Sequence, residues 1–198
     1  WEAAGVEHRA AVLREAARVM AADRFRTIAC MRTDAKKAAS EADAEVSEAV
    51  DFARYYADAY RVPAGLRADA LGVVVVASPW NFPYAIPAGG VLAALVAGNA
   101  VVLKPAPETV QTAALLADQL WRAGVPRDVL QFFPCADGDT GKSLVTDPRI
   151  AAVVLTGSTE TAKLFHDWRP GLRLSAETSG KNALVVTAQA DRDLAVKD

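Results

Sequence analysis

Leu71-Gly72-Val73-Val74-Val75-Val76-Ala77-Ser78-Pro79-Trp80-Asn81-Phe82-Pro83 is the stretch whose reading decides the fold. Four valines between a glycine and a Ser-Pro turn make a short apolar run with no polar alternation, the pattern of a strand covered on both faces. Similar runs follow at Val101–Leu103, Leu130–Phe133 and Val153–Leu155, with a fifth at Leu184–Thr187. Between them lie helical patterns at Ile86–Val96, Val110–Trp121 and Thr159–Asp167. Strands alternating with helices predict an α/β fold, a parallel twisted sheet with helices on both faces. Upstream, Leu13, Ala16, Ala17 and Met20, and then Val46, Ala49, Val50, Ala53, Ala57 and Tyr60, recur at helical spacing. Residues 1–60 are therefore expected to be a helical N-terminal part. Arg61–Arg67, with Pro63 and Gly65, breaks that pattern before an α/β part at 70–198.

Composition narrows the function classes. Of 198 residues, 52% are hydrophobic and 23% charged, enough apolar matter for a packed core. A formal charge of −2 without a basic stripe argues against nucleic acid as a partner. The longest apolar run is strand-sized, so no membrane span is expected. Cys30 and Cys135 make neither a disulfide framework nor a metal site, and a reducing, cytoplasmic setting is the expectation. Neither cysteine has a histidine or cation beside it in sequence, and carboxylates near a thiol oppose a thiolate. His8 and His166 lie in charged helical stretches and are expected in solvent.

In an open parallel sheet, ligands bind beyond the carboxyl ends of the strands, and the unusual residues of this chain follow its strands. Thr156-Gly157-Ser158-Thr159-Glu160 joins a strand to a helix. Gly157 lets backbone approach a ligand, and Ser158 or Thr159 can cap a helix whose N–H groups suit a phosphate. An ordinary capped helix start has the same sequence. Asn81, between Pro79 and Pro83, can donate to a developing oxyanion, or can simply form a turn. Lys104 ends a strand, where its ammonium meets a ribose or phosphate, or runs out to solvent. Glu177, among small residues just before the fifth run, is a general base if partly desolvated, or else a surface carboxylate near Lys181.

Two familiar phosphate signatures fail. Gly138-Asp139-Thr140-Gly141-Lys142-Ser143 looks like the end of a P-loop, yet Ala136 stands where glycine is needed, and Asp137 and Asp139 would repel phosphates. The G-x-G-x-x-G fingerprint is absent, so a dinucleotide would have to be held another way.

Taken in order, four segments resemble the aldehyde dehydrogenase superfamily. They are Pro79-Trp80-Asn81-Phe82-Pro83, Ala97-Gly98-Asn99-Ala100-Val101-Val102-Leu103-Lys104-Pro105, Thr156-Gly157-Ser158-Thr159-Glu160 and Glu177-Thr178-Ser179-Gly180-Lys181-Asn182. Glu41–Ala57 also resembles the family's helix before the sheet. A narrower resemblance, to L-glutamate γ-semialdehyde (pyrroline-5-carboxylate) dehydrogenases of bacterial bifunctional proline-catabolic enzymes, rests on Ala176-Glu177-Thr178, Lys-Pro-Ala-Pro-Glu at 104–108, Asp137-Gly138-Asp139 and Trp168-Arg169-Pro170.

The resemblance implies the Rossmann-like cofactor-binding half of an enzyme that oxidises an aldehyde with NAD, or NADP, forming a homo-oligomer at full length. It makes Asn81 the oxyanion donor and Glu177 the base that activates water. Lys104 would hold the adenosine ribose and Ser158 the pyrophosphate, while Trp80 and Gly157 would line the cofactor cleft. Two departures stand out: Pro107 where many members carry a glutamate, with Glu108 one step on, and Ala162 where glycine is usual. The family's nucleophilic cysteine lies roughly three dozen residues beyond the glutamate, whereas this chain ends 21 residues after Glu177 (198 − 177). The expectation is a partial domain without the catalytic-cysteine part, ending inside a helix, and inactive alone. The alternative is a free-standing nucleotide- or partner-binding module without catalysis.

Overall fold

A computed structural model describes residues 1–63, 65, 68–180 and 182–197. The expected break at Arg61–Arg67 falls partly outside these residues, as does Lys181. Five parallel strands, β1 (Val73–Ala77), β2 (Ala100–Lys104), β3 (Leu130–Phe132), β4 (Ile150–Thr156) and β5 (Leu174–Glu177), form one sheet in the order β3-β2-β1-β4-β5. The chain works outward from β1 to β3, then crosses back to place β4 on the other side of β1. Loops on either side of that reversal diverge, which opens a crevice at the carboxyl edge between β1 and β4.

Side chains of β1 alternate between two cores, as a strand's period of two requires. Val74 and Val76 enter the larger one with Val101 and Leu103, whereas Val75 and Ala77 enter the smaller with Val153 and Leu155. The larger core lies under α4 (Ala85–Val96) and α5 (Val110–Arg122), the crossovers of the first three strands. Outside these lie α1 (Val6–Ala22), α2 (Arg24–Asp34) and α3 (Ala39–Ala59). Being covered by the sheet on one side and by α1 and α3 on the other explains why α4 is apolar nearly all round. Gly98, at φ 93°, lets the chain turn from α4 into β2, and Asn99 Oδ1 then accepts the N–H groups of Leu71 and Gly72. The smaller core lies under α6 (Asp139–Thr146) and α7 (Thr159–Trp168), mainly through Val145 and Phe165.

One sequence expectation is corrected. Leu184–Thr187 is not a strand: Leu184, Val185 and Val186 are 62%, 81% and 52% exposed, with no ladder partner among the described residues. A β-branched run has strand propensity but needs a neighbouring edge to pair with. The edge beside β4 is taken by Leu174–Glu177, a stretch too polar to stand out by hydrophobicity. In addition, the acidic segment after β3 forms α6, entered through Gly138 at φ 101°. The chain's last described residues form α8 (Arg192–Lys197). No described helix is long and apolar enough to cross a membrane.

Candidate functional site

The register brings the candidate residues to one edge. Ala77 pairs with both Lys104 and Leu155, and Thr156 pairs with Glu177, so β1, β2, β4 and β5 end at nearly the same level. The loops leaving them surround a cleft of about 740 Å³ whose lining includes all six sequence-derived site residues: Trp80, Asn81, Lys104, Gly157, Ser158 and Glu177.

The loop after β1 is held from beneath. Lys36, at φ 57°, is the only non-glycine residue with positive φ among those described, and it turns the chain between α2 and α3. The next residue, Lys37, donates from Nζ to the Asn81 carbonyl at 2.8 Å and to Glu45 Oε1, with its ammonium 3.9 Å from the centroid of the Phe82 ring. Glu45 Oε2 accepts the Tyr84 and Ala85 N–H groups at 3.0 Å each, capping α4. The pair is nearly dry, with side chains 10% and 1% exposed. Pro83 is buried, while the Trp80 and Asn81 side chains stay exposed to the cleft. Below the loop, Tyr84 donates to Gln119 Oε1 at 2.7 Å, and burial pushes its phenol well above the usual value. The sequence reading missed Lys37 and Glu45. A signal existed: Glu45 falls on the buried stripe of α3 between Ala42 and Ala49, and a carboxylate there requires a partner.

At the end of β2, Lys104 is 12% exposed and reaches the cleft rim, where Nζ meets Asp137 Oδ1 at 2.9 Å. Asp137 comes from the loop before α6 and is 77% exposed. Sequence reading used Asp137 against a P-loop and as part of a resemblance segment, and gave it no place in the site.

After β4, Ser158 is the N-cap of α7, and its Oγ accepts the Thr161 N–H at 3.1 Å. A Cβ on Gly157 would meet only Leu155 Cδ1, at 3.6 Å, an ordinary contact. Nothing in the chain's own packing requires glycine there.

Glu177 differs from expectation in its place on the strand, and of the two readings of its carboxylate the structure shows the exposed one. It is the last residue of β5 rather than a residue before the fifth strand, its carbonyl accepting the Gly157 N–H at 3.0 Å, and it is exposed rather than desolvated. Among the described residues β5 is an edge strand, and its end leaves the carboxylate exposed. The cysteines lie outside the cleft lining. Cys30, on α2, has its Sγ 3.8 Å from Thr112 Oγ1, and burial chiefly raises its pKa; Arg26 does act on it in the opposite direction, a cation that sequence proximity had discounted. His8 and His166 are exposed, as expected.

The aldehyde dehydrogenase family pattern matches residues 1–198. The bifunctional protein PutA of Rhizobium meliloti is 45% identical over 191 residues, covering 92% of this chain and 15% of that protein. PutA of Escherichia coli K12 is 41% identical over 208 positions, covering the whole chain and 16% of the relative. The 1-pyrroline-5-carboxylate dehydrogenase of Geobacillus thermodenitrificans is 36% identical over 218 positions, and the chain covers 42% of it. Among solved structures, proline utilization A from Corynebacterium freiburgense superposes with a TM-score of 0.92 at 46% identity, over 98% of this chain and 20% of that one. An NADP-dependent enzyme from E. coli superposes with a TM-score of 0.87 at 29% identity, over 98% and 43%. The chain thus spans less than half the length of each of these relatives. With a switch-point cleft ringed by its four motif segments, and a family pattern that runs from the first residue to the last, this chain belongs to the aldehyde dehydrogenase family.

Proposed function

We propose that the chain carries the nucleotide-binding part of an NAD(P)-dependent enzyme oxidising L-glutamate γ-semialdehyde to glutamate, a step of proline catabolism. The substrate reading is supported by relatives named for proline utilization and pyrroline-5-carboxylate dehydrogenation. One observation carries the rest: Asn81 and Glu177 border the same cleft as Lys104 and the α7 N-terminus.

That cleft fits a dinucleotide. It combines a cation at the end of β2, a helix N-terminus after β4, an exposed indole at Trp80 and a glycine at 157 that the protein's own packing does not demand. Lys104 would hold the adenosine ribose, Ser158 and α7 the pyrophosphate, and Trp80 and Gly157 the walls. A bound nicotinamide supplies the two-electron acceptor for the oxidation. The chain's residues supply the rest. Asn81 would donate its side-chain N–H to the oxyanion formed when a thiolate adds to the aldehyde. The Glu177 carboxylate, open to water, would take a proton from the water that hydrolyses the resulting thioester. Because neither Cys30 nor Cys135 lines the cleft, we assign the thiolate to a residue outside these 198. Residues 70–198 would carry the nucleotide and residues 1–60 would support them.

The test is NADH formation from L-glutamate γ-semialdehyde. The chain alone should form none, and turnover by it would overturn the exclusion of its cysteines. In an active enzyme containing this chain, Glu177→Gln should spare the first burst of NADH and slow the turnovers after it. Loss of the burst itself would remove Glu177 from the hydrolytic step.

A further inference from the structure

We propose that Asp137 makes the cleft prefer NAD to NADP; this rests on the reading of the cleft as a dinucleotide site. In a sheet of this order, the adenosine ribose lies by the end of the second strand, where a carboxylate suits a 2′-hydroxyl and a cation suits a 2′-phosphate. Here the end of β2 is Lys104, which alone would favour the phosphate. The only carboxylate touching its ammonium among the described residues is Asp137, at 2.9 Å. The segment that follows the lysine, Pro105-Ala106-Pro107, holds no carboxylate before Glu108. The fold instead supplies it 33 residues later, from the loop between β3 and α6. Glu108 also borders the cleft, but among the described residues it makes no ion pair with Lys104.

The charges decide the preference. A ribose 2′-phosphate carries between one and two negative charges near neutrality. The repulsion from Asp137 offsets the attraction of Lys104 for that phosphate, and the same carboxylate can accept a hydrogen bond from a ribose 2′-hydroxyl. Charges a few ångströms apart in a water-rich setting interact modestly, so removing the carboxylate should shift the NADP:NAD affinity ratio about ten-fold. The ion pair is mostly solvated on the aspartate side and adds little to stability, so a substitution there reads binding rather than folding.

The experiment is calorimetric titration of the chain with NAD and with NADP, at low and high salt. The unsubstituted chain should favour NAD. Asp137→Asn should raise the NADP:NAD affinity ratio about ten-fold at low salt and less at high salt, with Glu108→Gln moving it less. An unchanged ratio in Asp137→Asn, a larger effect from Glu108→Gln, or an NADP preference in the unsubstituted chain would each overturn the inference while leaving the cofactor cleft standing. Binding of neither dinucleotide would reject the cleft reading and the inference together.

Discussion

Among the helices that begin at the carboxyl edge of the sheet, α4 and α7 have N-termini finished in opposite ways. That of α4, after β1, is closed: the buried Glu45 carboxylate accepts the Tyr84 and Ala85 N–H groups, and Lys37 neutralises it while holding the Asn81 carbonyl. That of α7, after β4, is open: an exposed Ser158 hydroxyl takes the Thr161 N–H, and the rest of the turn borders the cleft. Each takes up part of the orphan donors that a helix start leaves, two N–H groups at α4 and one at α7. A helix end filled by the protein's own anion becomes an anchor. One capped only by a hydroxyl keeps its positive end available to an anion from outside. The anchored end supports the loop bearing Asn81, whereas Glu177, across the cleft, hangs on an edge strand without such support.

The largest expected effect tests the anchor. Glu45→Ala leaves Lys37 buried without its partner and two amides without an acceptor, and should cost about 3–5 kcal/mol in urea unfolding. Pairing Glu45→Gln with Lys37→Met removes both charges and should recover much of that loss. A cost below about 1 kcal/mol for Glu45→Ala, the range of an exposed ion pair, would erase the contrast between the two helix ends.

A smaller effect is expected at the open end. Ser158→Ala should cost about 1 kcal/mol by melting, and Ser158→Gly only a few tenths, the usual order at an N-cap. If Ser158→Ala matched Glu45→Ala, the α7 terminus would be an anchor as well.

The smallest effect concerns an exposed charge. Arg149, through its guanidinium and its N–H, holds the Asp147 carboxyl at about 2, below its usual 3.8. A carboxyl depressed on folding stabilises above its unfolded pKa, and this contribution is lost as pH falls from near 3.8 through about 2. The Asp147 carboxyl carbon shift, followed by NMR, should move in that window, and Arg149→Ala should return its midpoint upward. Titration near 3.8 with Arg149 present would show that pair to be broken in solution.

Legibility in the sequence followed apolar periodicity. Val73–Val76 and Val153–Leu155 stood out because their residues are all apolar, and the helices at Ile86–Val96 and Val110–Trp121 by the spacing of their apolar residues. Leu174–Glu177 did not, because an edge strand capped by Ser175 and Glu177 has little hydrophobic signature. Leu184–Val186 gave a false strand for the converse reason: propensity is local, and pairing is not. The six candidate residues that line the cleft could be singled out because the strand-end loops contain short motifs. Asp137, Lys37 and Glu45 escaped, since each acts on a residue at least 33 positions away.

What the sequence determined by itself was the parallel α/β sheet, the helical N-terminal part and the motif segments at the strand ends. These follow from local periodicity and turn chemistry. Only the tertiary structure decided which strand takes the last place in the sheet, that Glu177 stands in water, and which charge meets which at the cleft. A side chain's electrostatic partner is set by where strands and loops converge in space, and neither spacing nor composition encodes that.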